Sequence, residues 1–147
     1  MITEDYVSFE IAKLLKEKGF KNWCYKCYGT AVCHKGVPIS FDEECELKDE
    51  GCEDEIEYVE GGCLYDIGCD NRKEDEKLYA APTLQMAMKW VRVKGYQIIV
   101  KHTDDNGYFA NILTMDNAIP VNKLFDGYNT YEQACESAIK YCLENLI

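Results

Sequence analysis

Long apolar runs are missing from this 147-residue chain. No stretch approaches the roughly 18 residues that a membrane-crossing helix needs, so no span is expected. Basic residues are scarce as well. Sixteen Lys and Arg stand against 27 Asp and Glu, a net charge of −11. That balance argues against direct binding of nucleic acid and against peripheral binding to anionic membranes, both of which need basic surface. Histidine is limited to His34 and His102. There is no phosphate-cradling glycine loop, no GxSxG and no HExxH. Without a nucleophile, base or metal that can be placed in a cleft, no enzyme is expected. The opening residues Met1-Ile2-Thr3-Glu4-Asp5 contain neither a basic nor an apolar leader region, so no secretory signal is expected and a cytoplasmic location is.

What the chain does have is cysteine, nine in all: Cys24, Cys27, Cys33, Cys45, Cys52, Cys63, Cys69, Cys135 and Cys142. The odd count without a secretory signal points to reduced thiols and no cofactor. Cys24-x-x-Cys27 followed by Cys33-His34 is the one metal-like constellation. A CxxC turn can bring two thiolates to a tetrahedral ion, with Cys33 or His34 as third ligand and Cys63 or Cys69 as fourth. A second CxxC is absent. Cys24 and Cys27 also lie in an alternating stretch, Trp23 to Tyr28, where an extended strand sends them to opposite faces. Ordinary thiols are therefore the reading, and a zinc-stabilised binding module built on Cys24, Cys27, Cys33 and His34 is the alternative.

Charge is concentrated. Between Asp42 and Glu60 lie eleven acidic residues and one base, Lys48, a local charge of −10. Like charges at this density repel, so residues 42–60 read as an acidic, loop-like insertion in a single domain, 1–147. They also read as the surface for a basic protein partner, with Glu43, Glu44, Asp49, Glu50, Asp54 and Glu55 as contact residues. Imitation of a phosphate backbone toward a basic host protein is a second alternative. The run lacks the spacing of an EF-hand loop.

Around that segment the pattern is α+β: three helices on a mostly antiparallel sheet. Ser8 caps a helix that Gly19 ends, Pro82-Thr83 opens one that Gly95 ends, and Thr130 with Gln133 opens the last, about 131–146. Strands are expected at 23–28, 31–34, 78–81, 96–101 and 108–114, with a short one at 119–121. Gly61-Gly62 and Asn106-Gly107 read as hairpin turns, the first between 56–59 and 63–67. Ala12–Phe20 aligns without gaps with Met88–Tyr96, which suggests two helix-plus-hairpin units and a closing helix.

Three segments together carry a resemblance. They are Asp5-Tyr6-Val7-Ser8-Phe9-Glu10 running into Ala12–Phe20, then Ala81-Pro82-Thr83-Leu84-Gln85-Met86-Ala87-Met88-Lys89-Trp90, then Tyr128–Ala134 with Lys140–Ile147. The chain resembles a group of small uncharacterised proteins common in Bacteroides genomes, their phages and mobile elements. The resemblance implies a bacterial or phage-related origin, and no activity or site residues. The expected role is that of a small non-enzymatic interaction or regulatory protein.

Overall fold

The computed structural model describes residues 3–33, 36–66, 68–72, 77–114 and 123–147. The chain forms two compact units, residues 1–20 with 82–147 and residues 21–81. Both contain antiparallel three-stranded sheets, and four α-helices are present among the described residues, so the class is α+β.

In the first unit, α1 (Phe9–Glu17), α3 (Leu84–Val93) and α4 (Tyr131–Asn145) accompany the sheet of β4 (Tyr96–Thr103), β5 (Gly107–Thr114) and β6 (Lys123–Tyr128). Each helix starts where a hydroxyl can take an orphan backbone N–H. Ser8 accepts from Ile11 at 3.4 Å, Thr83 from Met86 at 3.2 Å and Thr130 from Gln133 at 3.1 Å. α1 stops at Gly19, φ +90°, where Phe20 N–H returns to the Leu15 carbonyl and Gly19 N–H to that of Lys16. Only a residue without a Cβ adopts that left-handed turn cheaply. The buried residues follow helical spacing: Ile11, Ala12 and Leu15 on α1, Leu84, Ala87 and Val91 on α3. α4 packs on all three strands and on both other helices, burying Ala134, Cys135, Ala138, Ile139, Cys142 and Leu143. Side chains the size of Ile139 and Leu143 contribute about 1.5–3 kcal/mol each on burial. The turn at Asp104–Gly107 joins β4 and β5 as expected, and places His102 opposite Tyr108.

In the second unit, β1 (Cys27–Cys33) is flanked by β2 (Ile56–Tyr65) and β3 (Tyr79–Ala80), and α2 (Phe41–Asp49) leads through a short 3₁₀ turn, Glu53–Glu55, into β2. β1 is buried along most of its length, as a central strand should be. Cys24 and Cys69 form an isolated bridge beyond it, each N–H bonded to the other's carbonyl.

Four expectations change. The acidic run is not a loop: its first half is α2, a fourth helix beyond the three expected, and its end lies in β2. In place of strands at 23–28 and 31–34 there is one strand, β1, which begins only at Cys27 and runs on through Gly29 and Thr30 to Cys33. Gly61-Gly62 is not a hairpin turn but part of a bulge inside β2. The register jumps from Gly29↔Cys63 to Thr30↔Val59, leaving residues 60–62 as the excess. A Cβ on Gly61 would lie 1.7 Å from Thr30 Oγ1, so close backbone approach, not turn formation, is what this glycine serves. Finally, the helix-plus-hairpin repeat exists once, as α3 with β4 and β5. α1 instead packs on α4, and the chain after Phe20 enters the second unit. The strand expected at 119–121 lies outside the described residues.

Candidate functional site

The acidic segment is ordered by its own sequence. Ser40 Oγ accepts the Glu43 N–H at 3.2 Å and Glu43 Oε2 accepts the Ser40 N–H at 3.2 Å, a complete capping box. At the other end Gly51, φ +76°, lets Cys52 N–H reach the Leu47 carbonyl at 2.8 Å. Asp42, Glu43 and Glu44 occupy the first turn, where the helix dipole favours negative charge. At 3.6 residues per turn, Asp42, Glu43, Glu46, Asp49 and Glu50 fall within about 120° of one side and span about 12 Å of axis. All five are exposed.

Glu44 points the other way. It is 2% exposed. Its Oε1 accepts the Tyr58 hydroxyl in a short hydrogen bond and the Lys48 ammonium at 2.7 Å, while Lys48 also donates to the Tyr58 oxygen at 3.2 Å. Burial, and then the bond to Glu44, push the Tyr58 hydroxyl up to about 12. The hydrogen bond to Glu44 lifts Lys48 above its usual range. The segment's one base is thus held by Glu44, the acid of the segment that is buried among the described residues. Of the six expected contact residues, Glu43, Asp49, Glu50, Asp54 and Glu55 are exposed, and Glu44 is a structural residue that no partner reaches.

The cysteines divide differently from the expectation. A bend at Tyr25 interrupts the alternation, so Cys24 and Cys27 are both buried. Burial, with Cys27 next in effect, pushes the Cys24 thiol up to about 11. Cys33 sits at the opposite end of β1, roughly 20 Å from Cys27 at the usual rise per residue. His34 lies outside the described residues. Among the described residues, no group of three His, Cys, Asp or Glu side chains is arranged to hold a metal ion. Cys135 and Cys142 are core residues of α4, and burial pushes both thiols up to about 12.

A further feature has no counterpart in the sequence reading. In the first unit a cleft of about 400 Å³ opens between the start of α1 and the side of α4, lined by Ser8, Glu10, Tyr128, Glu136, Ser137 and Lys140 among others. Glu136 is half-buried and accepts the Ser8 backbone N–H at 2.8 Å. Burial raises its pKa, Asp5 and Glu10 raise it further, and the Ser8 N–H opposes them. The one local signal is that Glu136 follows buried Cys135 on a short-sided helix face; the partner, Ser8, is 128 positions away.

No protein-family model, curated protein or solved structure matches the chain. Among the described residues, no helix is long and apolar enough to cross a membrane.

Proposed function

We propose that the protein is a non-catalytic interaction or regulatory protein of phage or mobile-element origin, acting in a bacterial cytoplasm, whose unit 21–81 docks a basic protein partner. The supporting observation is the outward side of α2, five carboxylates on a helix capped at both ends, with the segment's one base, Lys48, engaged by Glu44. A preorganised stripe of one sign raises encounter rates with an oppositely charged surface and loses force as salt rises. The surrounding unit fits that role. Residues 21–81 contain sixteen acids against seven bases, a charge of −9, whereas the remaining residues carry −2. Among the described residues, four of the five exposed large apolar side chains also belong to it, Trp23, Tyr25, Val37 and Leu64, which gives a docked partner desolvating contacts as well as charge.

A narrower form of the same reading is mimicry of nucleic acid. Carboxylates at about one per 3 Å of helix axis approach the phosphate spacing of a single DNA strand, about 3.4 Å.

The test compares the full chain with a variant carrying Glu43→Gln, Asp49→Asn, Glu50→Gln, Asp54→Asn and Glu55→Gln. Immobilised wild type is expected to retain a basic protein from bacterial lysate at low salt and to release it as salt rises, and the variant to retain at least tenfold less. If both forms hold the same partner equally at low salt, the reading fails. Displacement of the partner by added duplex DNA supports the mimic form.

A further inference from the structure

We propose that the cleft between the start of α1 and the side of α4 binds a small organic cation, an ammonium or guanidinium group seated on the Glu136 carboxylate. This site is in the other unit from α2, and it is independent of the docking surface above.

The carboxylate is held in place. One oxygen takes the Ser8 N–H at 2.8 Å, which joins the cap of α1 to the middle of α4. Glu136 already places a carboxylate beside the start of α1, so the cleft carries negative charge of its own and disfavours a second anion. What remains is acceptor capacity: a carboxylate has about four lone-pair positions, and among the described residues this one receives a single hydrogen bond. The base nearest to hand does not use it. Lys140 is engaged by Glu10 at 2.8 Å and by Glu144 at 3.8 Å, and makes no ion pair with Glu136. Ser137 donates its hydroxyl proton to the Gln133 carbonyl at 2.9 Å, which leaves its oxygen as a further acceptor on the cleft wall. Tyr128 supplies an aromatic wall, a surface that attracts cations.

Charge and size agree. Asp5 and Glu10 make a proton on Glu136 more favourable, and the same field favours any cation that reaches it. A space of about 400 Å³ lies near the lower end of small-ligand pockets, enough for a diamine or for one cationic side chain. The cation has two sources, a free amine or the Lys or Arg side chain of another polypeptide, and both present the same group to Glu136.

The test is a titration of the ¹⁵N-labelled full chain, followed by amide chemical shifts at constant ionic strength. The probes are 1,4-diaminobutane, the N-acetylated tripeptide amide Gly-Lys-Gly, and uncharged 1,4-butanediol. Saturable shifts at Ser8, Gln133, Glu136 and Ser137 are expected with one or both cationic probes and not with the diol. Tighter binding of the diamine assigns a free amine, and tighter binding of the peptide assigns a side chain. Glu136→Gln keeps an oxygen for the Ser8 N–H and removes the charge, and it is expected to weaken binding at least tenfold with the fold intact by circular dichroism. Shifts that do not saturate, that persist unchanged in Glu136→Gln, or that appear equally with the diol overturn the proposal.

Discussion

The Tyr58 hydroxyl, on β2, donates to Oε1 of Glu44, on α2, and that carboxylate's other oxygen is buried with no hydrogen-bond partner among the described residues. The pair, with Lys48 beside it, ties a strongly charged helix to a strand. It converts the one acid that faces inward from a liability into an anchor.

Removing that acid leaves two polar partners without their acceptor. Glu44→Ala is expected to destabilise the unit 21–81 by about 1–3 kcal/mol. Tyr58→Phe is expected to cost less, about 1 kcal/mol, because Lys48 remains on the carboxylate. Hydrogen exchange of the α2 amides reports this directly. Unchanged protection in Glu44→Ala would show that α2 is held by something else.

The exposed acids behave in the opposite way. Converting Glu43, Asp49, Glu50, Asp54 and Glu55 to amides relieves like-charge repulsion but weakens the capping box at Glu43 and favourable charge near the helix start. The two effects offset, so urea denaturation is expected to find the variant within about 0.5 kcal/mol of wild type.

Thiol chemistry should separate the nine cysteines into two classes. Cys63 is exposed and Cys33, Cys45 and Cys52 are partly so, whereas Cys24, Cys27, Cys69, Cys135 and Cys142 are buried. An aromatic disulfide reagent is expected to modify up to four thiols quickly and the other five only on unfolding. The raised thiols also set an alkaline limit. Their folded pKa values, about 11 for Cys24 and about 12 for Cys135 and Cys142, exceed the unfolded value. Their stabilising effect is therefore complete below about pH 9 and is lost as pH rises toward 11–12, with a slope approaching about 1.4 kcal/mol per pH unit for each thiol. Melts from pH 8 to 11 check it.

Glu136 shifts with the same sign as these thiols, but its window lies at acid rather than alkaline pH. Its folded pKa is raised, chiefly by burial, with Asp5 and Glu10 adding and the Ser8 N–H opposing. The charged form therefore costs stability at neutral pH, and that cost fades as pH falls through the folded value. Glu136→Gln is expected to raise stability modestly at pH 7, solvent screening limiting the gain. The gain should shrink toward pH 4. A stable variant that no longer binds cations would mark Glu136 as a residue kept for use at the expense of stability.

Gly61→Ala is expected to destabilise the sheet β2-β1-β3 by more than about 2 kcal/mol, since the new methyl would overlap Thr30 at 1.7 Å. A melting temperature equal to wild type would mean that the bulge can shift register without cost.

Signals in the chain are legible where their causes are local. Ser8, Thr83 and Thr130 are caps, Gly19 and Gly95 are stops, and Asp104–Gly107 is a turn, because each depends on neighbours within a few positions. α2 was legible too, through Ser40-x-x-Glu43 and Gly51, but charge density outweighed the caps. Gly61-Gly62 misleads because the same dipeptide suits a turn and a close strand contact, and only Thr30 across the ladder decides between them. β6 is hidden by Asp126 and Gly127, the latter at φ +77°, which break the alternation of a strand. The buried role of Glu44 depends on Tyr58, and the position of Glu136 depends on Ser8. Neither pairing leaves a mark in one sequence, since what fixes it is tertiary contact.

The unit formed by residues 1–20 and 82–147 is split by the 61 residues between its parts. During synthesis α1 emerges well before its packing partner α4, with 128 positions between Ser8 and Glu136. At ordinary translation speeds that interval is on the order of ten seconds. Residues 21–81 have every partner of their own sheet in hand before then. The acidic unit can therefore close on itself while the N-terminal helix still carries an uncovered apolar stripe, and that wait, more than final stability, is when the nascent chain is open to chaperones or to aggregation.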